Sequence, residues 1–285
     1  MITFENVTKH YPGKSFALNS ISFTIKKGEK VALIGKNGAG KSTLFKSLMG
    51  LSSIDKGSIL FEEKNKKIEP TSFRKQIGYL PENSPLLLEF TVIQYLKMVA
   101  ECYGFQKITH RIQEILVLCQ LEDVKYRKIL KLSKGYRQRV ALAATVIHDP
   151  AVLVLDEPTV GLDPKQIVQF RNLIEQTSAG KVLIFATHIL SEAQKICDRY
   201  LYLEDGKLKQ DQYMSVSKHK VLVRAMGEIP TDIKINIVSE KVLPGEWREY
   251  VIDSNNPESV NKKLVEKGVK VKHIEHLLED IESLF

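Results

Sequence analysis

The chain has 285 residues, 43% of them apolar, and 42 lysines and arginines stand against 34 aspartates and glutamates, for a net charge of +8. Core-forming residues are plentiful enough for one large domain, or for a domain of about 200 residues with a smaller companion. No stretch approaches the ~18 uninterrupted apolar residues of a membrane helix, which excludes an integral membrane span, and MITFENVTKH lacks a signal-peptide core, so a cytoplasmic chain is expected. Cys102, Cys119 and Cys197 are widely spaced with no metal pattern and read as buried thiols in a reducing compartment. The excess positive charge asks for an anionic neighbour, for which nucleic acid, a nucleotide and an anionic membrane leaflet all qualify. Basic residues cluster in KNKK (64–67) and KYRKILKLSKGYRQR (125–139). Neither run is read as interleaved with the solvent-facing aromatics of a single-strand-binding surface.

In chain order, residues 29–34 end in the apolar run Val31, Ala32, Leu33, Ile34 and read as a strand, and GKNGAGKST (35–43) follows. Gly35, four residues, Gly40, Lys41, Ser42 is the pattern of a loop whose backbone amides wrap a phosphate chain, because residues without Cβ admit the anion closely. TLFKSLMG continues at helical spacing to Gly50, so the loop sits at a helix N-terminus, where free N–H groups and the dipole favour an anion. In this reading Lys41 bridges terminal phosphates and Ser42 offers a hydroxyl to Mg2+. Residues 84–148 read as helical, from TVIQYLKMVAECYGF through THRIQEILVLCQL, with Val92, Leu96, Val99, Ile112, Leu116 and Cys119 as core. In LSKGYRQRVALAATVIHDP (132–150) helical spacing begins after Gly135, which places Ser133 and Gly135 at a second helix start with free amides. AVLVLDEPT (151–159) is a parallel strand buried on both faces, at whose carboxyl end Asp156 is placed to hold a Mg2+ shell and Glu157 to deprotonate water. KVLIFATH (181–188) is a similar strand ending in His188, with Ser191 and Gln194 expected to form a capping box for the next helix. Beyond residues 210–220 come the β-like runs VLVRA and REYVIDS, a helix from Pro257 to Gly268 capped by Asn256, and the strand-like VKVKHI. His273 and His276 of HIEH lack carboxylate or thiol company and read as surface residues rather than metal ligands.

Over residues 1 to about 210 this ordered set resembles the nucleotide-binding subunit of ABC transporters. The matching segments are GKNGAGKST as Walker A, IGYLPEN (77–83) at the Q-loop, LSKGY (132–136) at the signature, AVLVLDE as Walker B, GLDP (161–164) at the D-loop and TH (187–188) at the switch. The resemblance implies an α/β fold, a P-loop NTPase sheet of ABC type with an antiparallel β portion and a helical subdomain, plus a small C-terminal α+β extension. The expected domains are 1–214 for the ATPase, with its helical part at about 84–148, and 215–285 for the extension. It implies ATP and Mg2+ as cofactors. Gly35, Asn37, Gly38, Ala39, Gly40, Lys41, Ser42 and Thr43 then hold the nucleotide, Tyr11 stacks on adenine, Ser42, Glu82 and Asp156 serve the metal, and Glu157, His188 and Lys41 carry hydrolysis. Two subunits would pack head to tail as an ATP-dependent homodimer, so that Ser133 and Gly135 face the γ-phosphate bound by Lys41 of the other subunit. An exposed face of the helical subdomain would meet a polytopic membrane permease on the inner side of the cell membrane. Glu82 stands where glutamine is usual, and Lys134 and Tyr136 where glycine and glutamine are usual. Glu82 keeps an acceptor but adds charge, which Lys134 would offset in the assembled site. These variants, together with LPEN, resemble the subgroup whose ATPases are separate polypeptides working with a small polytopic membrane protein in exporters, including those for drugs, sodium, cytochrome assembly and gliding motility. The C-terminal extension resembles that of the same subgroup, with LEDIESLF echoing a family ending. The rival is an ABC-type ATPase acting on nucleic acid or ribosomes. It usually carries two cassettes or a long coiled-coil insertion, neither of which is present, so no nucleic-acid partner is expected. A regulator without hydrolysis is disfavoured by the presence of both Glu157 and His188.

Overall fold

The computed structural model describes residues 1–12, 16–63, 66–68, 73–105, 108–214, 220–230, 233, 235–254 and 256–276. The expected family ending LEDIESLF and part of the basic run 64–67 lie outside them. The chain divides into two compact units, Met1–Tyr213 and Met214–Phe285.

In the first unit β1 (Ile2–His10) pairs antiparallel with β2 (Phe16–Ile25) and β4 (Lys56–Glu63), and β4 with β5 (Lys66–Ile68). Ile2, Phe4 and Val7 point inward while Glu5 and Asn6 face solvent, the half-buried pattern of an antiparallel sheet. The second sheet has the order β10-β9-β3-β8-β7-β6. These strands are β10 (Lys207–Tyr213), β9 (Arg199–Glu204), β3 (Lys30–Ile34), β8 (Val182–Thr187), β7 (Val152–Asp156) and β6 (Ile77–Leu80). All its neighbours run parallel except β10. Every residue of β7 and β8 is buried, which is why both read as continuous apolar runs rather than as alternation. Register sets Ile34 beside Thr187 and Asp156 beside Ala186, so the chain leaves β3, β7 and β8 at one carboxyl edge, where sheets of this type bind ligands.

Helices α1 (Lys41–Leu48), α2 (Val92–Cys102), α3 (Ile108–Leu118), α4 (Lys134–Val146), α5 (Pro164–Thr177) and α6 (Leu190–Ile196) complete this unit. Thr91 and Gln94 form a capping box on α2, and Asp163 and Gln166 form one on α5 with Pro164 at its first position. Val92, Leu96, Ile112, Leu116 and Cys119 are buried as expected, and Val99 is half-buried. Two local expectations are corrected. α6 begins at Leu190 with Ile189 at its N-cap and no side-chain cap bond, so Ser191 lies inside the first turn, too late in the helix to cap it. Thr187 secures the entry instead, its Oγ1 accepting from the Ile189 amide at 3.0 Å. Cys119 and Cys197 are buried but Cys102, the last residue of α2, is exposed. Burial pushes the Cys119 thiol up to about 12.

His148, just past α4, is half-buried, its ring stacked on Tyr103 with centroids 3.8 Å apart. Its Nε2 donates to the Ile77 carbonyl at 3.3 Å, while Nδ1 is buried without a partner. Burial holds the imidazole down to about 4, so the unfolded chain takes up this proton first. His148 therefore removes stability progressively as pH falls from about 6.5 toward 4. The thermal midpoint of His148→Phe, which keeps the stack, is expected to fall less steeply than that of the parent between pH 7 and 5. Parallel midpoint curves would remove His148 from the acid limb.

The second unit is an antiparallel sheet of order β12-β13-β11-β14. It comprises β12 (Asn236–Val242), β13 (Trp247–Asp253), β11 (Lys220–Met226) and β14 (Val271–His276), with α7 (Pro257–Glu266). Val221, Val223, Tyr250, Ile252, Val260 and Leu264 form its core. Asn256 caps α7 by accepting from the Ser259 amide at 3.0 Å, and Gly268 leaves the helix at φ 75°. β12 was not anticipated, because all seven of its residues are exposed and apolar alternation is absent.

Candidate active site

The loop after β3 is shaped by two glycines that nothing larger can replace. A Cβ on Gly35 would collide with the Leu203 carbonyl, and one on Gly40 with the Ala17 carbonyl, and Gly40 also holds φ 110°. Gly40 is the N-cap of α1 and supplies no side-chain cap, and the first turn holds no acidic residue. The amides there stay open to an anion. Lys41 is buried, its Nζ donating to the carbonyls of Gly35 at 2.5 Å and Lys36 at 3.4 Å.

A cleft of about 290 Å³ opens over this loop, and Tyr11, Asn37, Gly38, Gly40, Lys41, Ser42, Thr43, Glu82, Asp156 and Glu157 all line it. Gly35 is buried beneath, and Ala39 faces a neighbouring hollow beside Tyr202. Tyr11 Oη lies 3.5 Å from Ser52 Oγ, which lowers the phenol's affinity for its proton. Phe16, 47% exposed, shares the cleft with Tyr11. Sequence pattern did not single it out, because an aromatic at the start of an edge strand carries no signal of its own.

Glu157 is buried at φ 48°, a left-handed conformation that a non-glycine residue adopts only when its surroundings impose it. Its Oε2 meets His188 Nδ1 at 2.9 Å. Its Oε1 is buried without a hydrogen-bond partner, 3.9 Å from Lys41 Nζ. His188 is half exposed at the rim. Beside it Asp156 accepts from Tyr79 Oη at 3.4 Å, and burial followed by the Glu157 charge raises its carboxyl above the usual range. Burial and Asp156 likewise push the Tyr79 hydroxyl up. Two crowded carboxylates with an unpaired oxygen suit a site that receives positive charge.

Ser133 and Gly135 lie elsewhere in the unit. Ser133 caps α4, its Oγ accepting from the Tyr136 amide at 3.4 Å, and both residues line a second cleft with Tyr136, Arg139 and Gln166. Within one chain they are not brought to Lys41. Lys134 packs its ammonium against Gly161. One reading of the basic run 125–139 is corrected: Tyr126 is 72% exposed with Lys125 Nζ 5.3 Å over its ring, so that run does present an aromatic to solvent.

The ABC transporter family matches residues 18–160, half of the chain, from β2 through the turn after Glu157. The chain belongs to the ABC transporter ATP-binding family. Among the relatives of this ABC ATPase, the lantibiotic transport ATP-binding protein SrtF of Streptococcus pyogenes is 37% identical over 73% of this chain and 89% of its own. The Nod factor export ATP-binding protein I of Burkholderia pseudomallei is 30% identical over 98% of this chain and 95% of its own. Among solved structures, the dimeric post-hydrolysis state of the ATP-binding cassette MJ0796 bound to ADP and Pi has a TM-score of 0.66. It is 27% identical, over 75% of this chain and 98% of that one. The α/β fold with its antiparallel and helical parts is thus that of ABC ATPases, and the protein is an ATP-binding, ATP-hydrolysing transporter subunit. No helix among the described residues is long and apolar enough to cross a membrane.

Proposed function

We propose that the protein powers an exporter by closing head to tail on ATP with a second copy of itself, and that Glu157 activates the water that attacks the γ-phosphate. The observation that carries the role of Glu157 is its buried Oε1, which has no hydrogen-bond partner, lies 3.9 Å from Lys41 Nζ and faces the same cleft. A carboxylate oxygen buried with nothing to accept from costs free energy unless a ligand supplies the donor. Lys41 would leave the Gly35 carbonyl for the phosphates, Glu157 Oε1 would take the water's proton, and His188 would hold Oε2 in place. Tyr11 would stack on adenine, and Asn37, Gly38, Ala39, Gly40 and Thr43 would wrap the phosphates below it.

Ser42, Asp156 and Glu82 fit a Mg2+ ion that arrives with the nucleotide. Among the described residues no group of three or more His, Cys, Asp or Glu is disposed to hold a metal, so the ion's remaining ligands would be phosphate and water oxygens. When bound, Mg2+ neutralises charge on the β- and γ-phosphates.

Separation of Ser133 and Gly135 from Lys41 within one chain, together with the dimeric form of the related cassette, supports closure across two subunits. The name of the Nod factor export relative supports export. The membrane permease would dock where Leu87, Leu88, Phe90 and Leu130 are exposed, on segments tied by the Leu130 amide to the Leu88 carbonyl and the Ile129 amide to the Phe90 carbonyl. That arrangement keeps the subunit peripheral on the cytoplasmic face, with residues 1–214 as the ATPase and 215–285 as a separable companion. Sedimentation of Glu157→Gln tests closure. A dimer is expected with Mg-ATP and a monomer with Mg-ADP, and a monomer in both would overturn the reading.

A further inference from the structure

The strained backbone of Glu157 needs support from its neighbours, and part of that support comes from the signature helix. On the sheet side, the Glu157 amide donates to the Ala186 carbonyl at 3.0 Å, and the Val160 amide closes the turn on the Glu157 carbonyl at 3.3 Å. On the other side, Gln138 of α4 reaches across and its Nε2 donates to the Pro158 carbonyl, next in the chain to Glu157, at 2.8 Å. Proline has no amide to anchor that position, so its carbonyl is the available handle. Two further contacts hold the stretch that runs from this turn into α5 against the start of α4. The Gln166 amide group packs against Gly135, which leaves only 3.0 Å between Gln166 Cδ and the place a Cβ would take, and Lys134 lies on Gly161. The helix that begins with Ser133 and the turn that aims Glu157 are thereby joined in one chain.

We propose that Gln138 is a positioning residue for hydrolysis: by holding the Pro158 carbonyl it sets where the Glu157 carboxylate points, so that a shift of the signature helix re-aims that carboxylate. The inference rests on the role proposed above for Glu157. In the dimer the start of α4 faces one nucleotide while Glu157 of the same chain serves the other, so Gln138 transmits closure at one site to the water-activating group of its neighbour. Because φ at Glu157 lies in a narrow allowed region, a small displacement of Pro158 swings the carboxylate rather than being absorbed by the backbone.

The test uses the full chain with Gln138→Met, which keeps length and loses the donor, and Gln138→Glu, which keeps polarity and sets an acceptor against the carbonyl. Both are expected to lower kcat about tenfold, the value of one hydrogen bond at the upper end of its net range. KM and ATP affinity should stay within about twofold, since the loop at Lys41 is untouched. The ATP-induced dimer of Glu157→Gln should persist when Gln138→Met is added. A kcat within about twofold of the parent in both variants, or a loss of kcat matched by loss of ATP affinity, overturns the proposal. Normal turnover in Glu157→Gln removes the role of Glu157 itself. Normal turnover in the Gln138 variants beside an inactive Glu157→Gln removes only the hold through Pro158.

Discussion

Glu157→Gln is expected to lose at least about 100-fold in ATP turnover while its affinity for Mg-ATP stays within about threefold of the parent. Glutamine keeps the volume, the turn at φ 48° and a polar contact with His188, which lies 2.9 Å from the carboxylate. It removes the proton acceptor that Oε1, which has no hydrogen-bond partner, is placed to supply. It also removes a charge 3.9 Å from Lys41 and adjacent to Asp156, so any change in affinity should be toward tighter binding of the polyphosphate. Phosphate release under saturating ATP, together with nucleotide titration of the same preparation, decides the matter. Turnover within tenfold of the parent would assign proton transfer to another group.

The second large effect is steric and needs no chemistry. Gly40→Ala forces a side chain into φ 110° and against the Ala17 carbonyl of β2, whereas Gly38→Ala, at φ 86°, meets nothing within 4 Å. The Gly38 variant should pay only the backbone cost of a left-handed alanine, about 1–2 kcal/mol. The Gly40 variant pays that and a collision with a strand that cannot yield without opening the sheet, for a total of about 3–5 kcal/mol. Loss of ATP binding should accompany it, because Gly40 is the N-cap of α1 and its displacement turns the free amides away. Denaturant melts and nucleotide titrations of the two variants check this contrast. Equal stability in the two variants would mean that the loop accommodates a methyl group where the Ala17 carbonyl now lies.

How much of this was legible in the sequence follows the kind of constraint involved. The phosphate loop was readable from the spacing of its glycines, but the reason expected, close approach of an anion, is not the one seen at Gly35 and Gly40, where a Cβ would collide with the Leu203 and Ala17 carbonyls. β7 and β8 were readable because burial on both faces leaves no room for polar residues. The starts of α4 and α7 were readable because Ser133 and Asn256 serve as caps. Where the cap is not a side chain the pattern misled: α6 enters through Ile189, and the pair Ser191 and Gln194 looked like a box only by spacing. β12 went unseen because a fully exposed strand has no hydrophobic period to betray it. Tyr79 beneath Asp156 and Gln138 against Pro158 were out of reach altogether, being contacts across 77 and 20 residues that only the sheet order and helix packing bring together.

The central claim is that one chain supplies Lys41 to one nucleotide and Ser133 to the other, and mixing two inactive proteins tests it most directly. Lys41→Ala removes the phosphate-binding cation, and Ser133→Glu sets a carboxylate where a γ-phosphate should lie, so each alone spoils both sites of a homodimer. In a mixed dimer both lesions fall in one site, and the other is built from an intact Lys41 loop and an intact α4 start. Random exchange makes about half of the dimers mixed. Differentially tagged subunits, sedimented with and without Mg-ATP, should therefore yield an ATP-stabilised mixed dimer that neither protein forms with itself. Subunit exchange without any ATP-stabilised mixed dimer would contradict the assignment of Ser133 to the opposite nucleotide.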